Sequence, residues 1–244
     1  MTFDRKKFEE DRLKNAISLE KDEGLQKLAI DLITKSDKHG HAYQWTWLDL
    51  PIIQSTEDII AAQELVWKVK PDVIIETGVA WGGSIVFYAS LLELIGNGKI
   101  VGVDVALPQK NIDKIMSYAF SNRISLIEGS SIEQSIVDQV ASHVEKGQTV
   151  MLMLDSNHTH EHVLKELELY SPLVTPDSYI IISDTVVEDL EVQEHRPRSW
   201  GPGNNPRTAV NTFLKTTDRF ELDAYYNAKI LISFDKGGYL KCLK

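Results

Sequence analysis

The sequence predicts an α/β fold: a mostly parallel sheet with helices on both faces, an antiparallel strand near the C-terminus and a helical extension at the N-terminus. Three observations carry this. Short β-rich runs at 72–76, 99–104, 123–128, 149–155 and 178–184 alternate with segments of helical length, the pattern of a parallel sheet covered by helices. Each run ends on a carboxylate: Glu76, Asp104, Glu128, Asp155 and Asp184. Two further apolar runs, KILISF and YLKCL, flank DKGG near the C-terminus and read as a closing antiparallel hairpin.

From the N-terminus, residues 1–36 are charge-rich, with apolar residues at Phe3, Phe8, Leu13, Ile17, Leu25, Leu28 and Leu32. They predict one or two amphipathic helices packed onto the rest of the chain. The segment HGHAYQWTWLDLPIIQ, 39–54, is aromatic and without a clear period, so it reads as an ordered loop. The chain thus divides into an extension with its aromatic loop, 1–54, and a main domain, 55–244. Thr56, followed by Glu57 and Asp58, marks a helix start, and Pro71 marks its stop. After Pro206 a last helix covers about 207–216. No internal repeat or low-complexity tract interrupts the pattern.

The length of 244 residues suits one α/β domain with added segments. A net charge of −10 argues against broad contact with nucleic acid or anionic lipid, both of which need basic surfaces. With the single cysteine, Cys242, no intrachain disulfide can form. The first residues lack the apolar core of a signal peptide, and no run approaches the roughly 20 apolar residues of a membrane span. The expectation is a soluble cytoplasmic protein, working as a homo-oligomer on a small-molecule or glycan partner.

The stretch VIIETGVAWGGSI, 73–85, runs a strand into a turn with Gly78, Gly82 and Gly83. Glycine-rich turns after strands usually cradle phosphate, yet Glu76 stands two residues before the first glycine and would repel it. The spacing is G-x-x-x-G-G, so the dinucleotide pattern is not met. S-adenosylmethionine has no phosphate and carries an ammonium, a carboxylate and a sulfonium. Glu76 suits its cation and the turn its carboxylate, while Asp104 is placed to accept from the ribose hydroxyls. Ser84, Ser130 and Asp155 complete the expected donor set. NAD enzymes also use an acidic residue where Asp104 stands, so Glu76 is the discriminator.

In MLMLDSNHTHEHV, 151–163, Asp155 ends a strand and His158 follows three residues later. Such a pair can divide the work, Asp155 holding a cation and His158 taking a proton. The plainer reading is a polar helix start capped by Thr159. A zinc site of His158, His160 and His162 is the rival, disfavoured because residue 160 does not share the helical face of 158 and 162. Asp184 can join Asp155 on one divalent ion with several waters, as magnesium prefers. The loop EHRPRSWGPGNNPRTAV, 194–210, carries Arg196, Arg198, Trp200 and Arg207 and has the length of a functional cover.

With those residues in hand, the chain resembles the cephalosporin hydroxylase family of S-adenosylmethionine-dependent methyltransferases, which includes rhamnosyl O-methyltransferases. The resemblance runs from about Tyr43 to Lys241 through WLDLPIIQSTEDIIAAQELVWKVKPDVIIETGVAWGGS, LDSNHTHEHVLKELELYSPLV, GNNPRTAVNTFL and ILISFDKGGYLK. It implies a Rossmann-like class I methyltransferase sheet and a bound magnesium. Asp155 and Asp184 match metal-ligand positions, and His158 matches the base of sugar-modifying relatives. One departure stands out: several relatives place two adjacent acidic residues where this chain has Ser183–Asp184. The implied activity is O-methylation of a sugar on a surface polysaccharide, lipopolysaccharide, glycolipid or nucleotide-sugar precursor. A macrolide-sugar or β-lactam type acceptor is the alternative, and an NAD-dependent oxidoreductase is the reading from another class.

Overall fold

The fold is described from a computed structural model covering residues 4–192 and 194–244, so Phe3 lies outside the described residues. Two helices open the chain, α1 (Arg5–Glu20) and α2 (Glu23–Asp37). Asp4 and Asp22 cap them by accepting from the backbone N–H groups of Lys7 and Leu25. Their packing differs from the amphipathic expectation. Phe8, Leu13, Ile17, Leu25, Leu28 and Leu32 are exposed, and the buried positions are Ala16, Ala29 and Ile33. The helices lie across the domain through small side chains and polar tips, one being Arg12, which donates to the Tyr225 hydroxyl at 2.8 Å.

The aromatic segment is ordered, as expected, but contains regular structure too short to read from periodicity. A 3₁₀ turn at His41–Gln44 precedes a ribbon of β1 (Thr46–Trp47) and β2 (Leu50–Pro51). Trp47 packs edge-on against Phe87 with ring centroids 5.0 Å apart. Helix α3 (Thr56–Val69) then starts from Ser55, whose hydroxyl accepts from the Asp58 N–H, and stops at Lys70, in the left-handed region with φ 52° just before Pro71.

The main alternation follows as β3 (Val73–Thr77), α4 (Gly83–Ile95), β4 (Lys99–Asp104), α5 (Gln109–Met116), β5 (Ile124–Glu128), α6 (Gln134–Ser142) and β6 (Val150–Leu154). It continues as α7 (His160–Tyr170), β7 (Tyr179–Ile182), α8 (Pro206–Phe213), β8 (Phe220–Leu222), α9 (Ala224–Lys229) and β9 (Tyr239–Cys242). The seven-stranded sheet has the order β5-β4-β3-β6-β7-β9-β8. The first five of these are parallel, and β9 runs antiparallel to both β7 and β8.

An antiparallel C-terminal strand is therefore present, but the KILISF–YLKCL hairpin is not. Lys229 ends α9, and 230–234 is irregular. The partner of β9 on its outer side is β8, from FEL. The cause is local. The Leu231 N–H donates to Glu57 at 2.6 Å and the Phe234 N–H to Asp58 at 2.8 Å. Side chains of α3 thus take backbone donors that a hairpin ladder would need.

Successive strand residues feed two cores. Ile74, Ile100, Met151 and Ile181 pack with α3 and α4 on one face, while Val73, Ile75, Val101, Leu152 and Ile180 pack with α6, α7 and α8 on the other. Burial on both faces is why these strands read as unbroken apolar runs. The chain direction across the sheet reverses between β3 and β6, and the crevice beyond their carboxyl ends is where such sheets bind ligands. No described helix is long and apolar enough to cross a membrane.

Candidate active site

The glycine turn is built into the switch point. The Gly78 N–H donates to the Val103 carbonyl, and the Asp155 N–H donates to the Thr77 carbonyl, each at 2.8 Å. Gly78 has φ +91°, and a Cβ there would stand 2.0 Å from the carbonyl oxygen of Asp155. A Cβ on Gly83 would stand 2.1 Å from the carbonyl oxygen of Pro51. One glycine lets the turn approach β6, and the other lets the aromatic segment cross the start of α4.

Gly78→Ala should therefore destabilise the protein by more than about 4 kcal/mol, in the range of exceptional single substitutions. Gly96 shares a left-handed φ of +83° but has nothing within 4 Å of its missing Cβ. Gly96→Ala should cost only the conformational strain, about 1–2 kcal/mol. Urea unfolding of the two variants checks the difference, and equal losses would contradict the close approach.

Beneath the turn lies Glu76, 1% exposed, with Oε2 lacking any hydrogen-bond partner. Burial pushes its carboxyl up to about 8, the negative charge of Asp104 adds to the rise, and a hydrogen bond from Ser84 opposes it. Gly78, Gly83 and Ser84 line a cavity of about 250 Å³ together with Asp155, His158 and Asp184. These six expected residues come together.

Glu76, Gly82, Asp104 and Ser130 do not line that cavity; Glu76 lies under the turn, next to Ser84, which does. Gly82 is the left-handed cap of α4. Asp104 buttresses the turn from behind. Its Oδ2 accepts from the N–H groups of Val79 and Ala80, each at 2.9 Å, and its Oδ1 from the Ala106 N–H at 3.0 Å. Three of its roughly four acceptor sites are thus committed to backbone.

Asp155 is enclosed by protein although its surface opens on the cavity. Removal from bulk water holds its carboxyl well above the usual range, and the charges of Asp184 and Glu76 add to this, against a hydrogen bond from Gln54. Asp184 sits in the left-handed region at φ 57°, where strain often marks functional positions. Its Oδ2 lies 3.4 Å from Nε2 of His158. The imidazole also meets Trp200 edge-on, with centroids 5.0 Å apart. The carboxylate facing His158 is therefore that of Asp184.

The other histidines turn away. Nδ1 of His160 is 2.8 Å from the Thr208 hydroxyl on α8. Nε2 of His162 lies 3.1 Å from Ser131, 3.2 Å from Ser156 and 3.5 Å from Glu166. Thr159 is the N-cap of α7 by position, but its hydroxyl bonds Asn157 rather than the helix backbone. The zinc alternative fails on this dispersal. Among the described residues no three His, Cys, Asp or Glu side chains are close enough as they stand to hold an ion.

Two side chains at the site escaped sequence reasoning. Gln54 lines the cavity, and its amide offsets part of the rise of the Asp155 carboxyl. Asp235, 3% exposed, lines the cavity and accepts from the Asp184 N–H at 3.2 Å. Asp235 ends an apolar run on a carboxylate, as the five strand-end residues do, but the glycines that follow it make the segment read as a hairpin turn. Burial lifts its carboxyl well above the usual range, with the charges of Asp58, Asp155 and Asp184 adding to the effect. Of the loop arginines, Arg196 and Arg198 line the cavity with Trp200, whereas Arg207 pairs with Asp189 at 3.5 Å.

The sheet order, the glycine turn over a buried glutamate and the carboxylate–histidine floor define a Rossmann-like class I methyltransferase. The chain belongs to the rhamnosyl O-methyltransferase/CmcI family, whose model matches residues 39–243. By that membership it is an S-adenosylmethionine-dependent O-methyltransferase.

A rhamnosyl O-methyltransferase of Mycobacterium leprae is 28% identical over 198 residues, covering 80% of this chain and 82% of the relative. One of Mycobacterium bovis (strain BCG) is 28% identical over 188 residues, covering 75% and 71%. Among solved structures, CmcI with magnesium and S-adenosylmethionine superposes with a TM-score of 0.57 at 16% identity, covering 83% of this chain and 78% of that one. An O-methyltransferase of Bacillus cereus with S-adenosylhomocysteine gives 0.50 at 16% identity, covering 79% and 81%. At these identities the solved structures speak for the fold.

Proposed function

We propose that this enzyme transfers the donor's methyl group to a sugar hydroxyl of a surface polysaccharide, lipopolysaccharide, glycolipid or nucleotide-sugar precursor. The observation that carries the reading is the buried carboxyl of Glu76, whose Oε2 has no partner, under the glycine turn that lines a cavity in which His158 stands against Asp184. An unpartnered buried carboxyl beside a glycine turn calls for a cationic ligand group. Glu76 receives the donor ammonium, and the N–H groups at the start of α4 take the donor carboxylate. The acceptor oxygen attacks the methyl carbon as the carbon–sulfur bond breaks, and His158 takes the hydroxyl proton. Positioning of the two substrates supplies much of the rate.

The residues present also fit a divalent ion. Asp155, Asp184 and Asp235 share the cavity, and no Lys or Arg pairs with any of them among the described residues. Asp155 and Asp184 would hold magnesium, with Asp235 supporting the Asp184 backbone rather than supplying the carboxylate that Ser183 replaces. When bound, magnesium lowers the pKa of a coordinated hydroxyl. Asp155→Asn and Asp184→Asn should each remove the metal dependence of turnover and leave S-adenosylhomocysteine affinity within a few-fold. Turnover indifferent to chelation in the parent enzyme would contradict the metal assignment.

Calorimetry with S-adenosylhomocysteine and with NADH tests the donor. Binding of the first without the second is expected, and the reverse would restore the oxidoreductase reading. Asp104→Ala should weaken S-adenosylhomocysteine by about 1–3 kcal/mol, now through the loosened Val79–Ala80 turn as well as any ribose contact. Unchanged affinity in a folded variant would remove Asp104 from the donor site.

A further inference from the structure

The cavity that holds the carboxylates also carries a pair of cations. Arg196 and Arg198 both line it, on a chain whose net charge is −10. Arg196 is held in place: its guanidinium pairs with Asp37 of α2 at 2.8 Å and stacks over Tyr43 at 4.9 Å. Arg198 lies over the Trp200 ring at 5.5 Å and has no carboxylate partner among the described residues. Among the described residues the two guanidinium groups thus have one carboxylate partner between them, Asp37, and that carboxylate also bonds His195 at 3.0 Å. The guanidiniums repel one another: burial and the charge of Arg198 both lower the pKa of Arg196. A half-buried like-charge pair of this kind is relieved by an anion.

The position of the pair says which substrate carries that anion. The donor is assigned to the glycine turn, whereas Trp200, which Arg198 overlies, meets the ring of His158, the proposed base. Trp81 lines the same cavity, is 56% exposed and offers a flat apolar face to a sugar ring. Asp37, which orients Arg196, precedes the region that the family model matches. The subsite therefore depends partly on the chain's own extension.

We propose that the sugar acceptor bears an anionic group, a carboxylate or a phosphate, which Arg198 and Arg196 receive in this cavity. This rests on the sugar-methyltransferase reading and narrows its substrate class. A uronic acid and a nucleotide-linked sugar share this chemistry, and the test separates them.

The full chain, saturated with S-adenosylhomocysteine, is titrated by calorimetry with methyl β-D-glucuronoside, uridine diphosphate and the neutral methyl β-D-glucoside. At least one anion should bind more than about tenfold tighter than the glucoside, and Arg198→Gln should remove about tenfold of that, as loss of one charge-assisted hydrogen bond does. The glucuronoside as the tighter anion identifies a carboxylate acceptor, and the diphosphate a phosphate one. Anions binding no better than the glucoside, or equally to parent and variant, would overturn the proposal. So would a variant that loses S-adenosylhomocysteine affinity to the same extent, because the arginine would then serve the donor. Failure of S-adenosylhomocysteine to load the parent protein would instead strike the methyltransferase reading itself.

Discussion

His158→Ala is expected to lower turnover by about 10²–10⁴-fold, the worth of a general base, with S-adenosylhomocysteine affinity changed by no more than a few-fold. Nε2 of His158 stands 3.4 Å from Oδ2 of Asp184, and the ring is held edge-on against Trp200 at 5.0 Å. These contacts orient the imidazole, and its side chain keeps 15% exposure, facing the cavity. The neighbouring histidines serve as internal comparisons. His160→Ala removes a contact to Thr208 on α8 and should leave turnover close to parent. His162→Ala should lower stability instead, because Glu166 is fully buried and loses a polar neighbour. Steady-state rates at saturating donor, together with melting temperatures, separate the three. Equal loss of turnover in all three variants would contradict a single base.

Glu76→Gln is expected to weaken S-adenosylhomocysteine by about 10–100-fold, the loss of a hydrogen-bonded charge. The pH dependence is distinctive. Burial lifts the Glu76 carboxyl to about 8, so at neutral pH the donor-free protein holds it mostly protonated. Receiving an ammonium favours the ionised form, so binding at pH near 7 should release close to one proton and tighten as pH rises toward about 8. Calorimetric enthalpies should accordingly vary with the ionisation heat of the buffer in the parent and not in Glu76→Gln.

Stability carries the opposite sign. The native value lies above the ordinary 4.5, so between the two the folded state binds more protons than the unfolded chain. The contribution of Glu76 is full below the lower value and is lost as pH rises through the upper one. The donor-free parent should lose stability across that window more steeply than Glu76→Gln does. Parallel urea-midpoint profiles for the two proteins would contradict the assignment.

Of the five parallel strands, β3, β6 and β7 are buried on both faces and appear as unbroken apolar runs, whereas the edge strand β5 is only partly buried and was legible from its place in the alternation. The C-terminal hairpin was misread because its outcome turns on Glu57 and Asp58, far away in sequence, capturing the backbone of 231–234. No local pattern encodes that competition. The N-terminal helices misled differently: their large apolar residues face outward, and Ala16, Ala29 and Ile33 make the contact.

At the site, Gly78, Gly83, Ser84, Asp155, His158 and Asp184 could be placed together because all follow β3, β6 or β7 at the switch point. Asp104 ends β4 and Ser130 follows β5, further along the sheet, and both fall outside the cavity lining, as does Glu76 within β3 beneath the turn. Asp235 reaches it from the turn before β9. A carboxylate closing an apolar run was the available signal there, and the glycines after it masked that signal as a tight turn.

The most direct measurement is mass spectrometry of sugars after incubation with donor carrying an isotopically labelled methyl group. The substrates would be neutral glycosides, uronosides and nucleotide sugars. One labelled methyl should appear on a ring oxygen of at least one sugar, in amount equal to the S-adenosylhomocysteine formed, and should disappear with His158→Ala. Label found on nitrogen or carbon, or S-adenosylhomocysteine formed with no sugar labelled, would contradict sugar O-methylation.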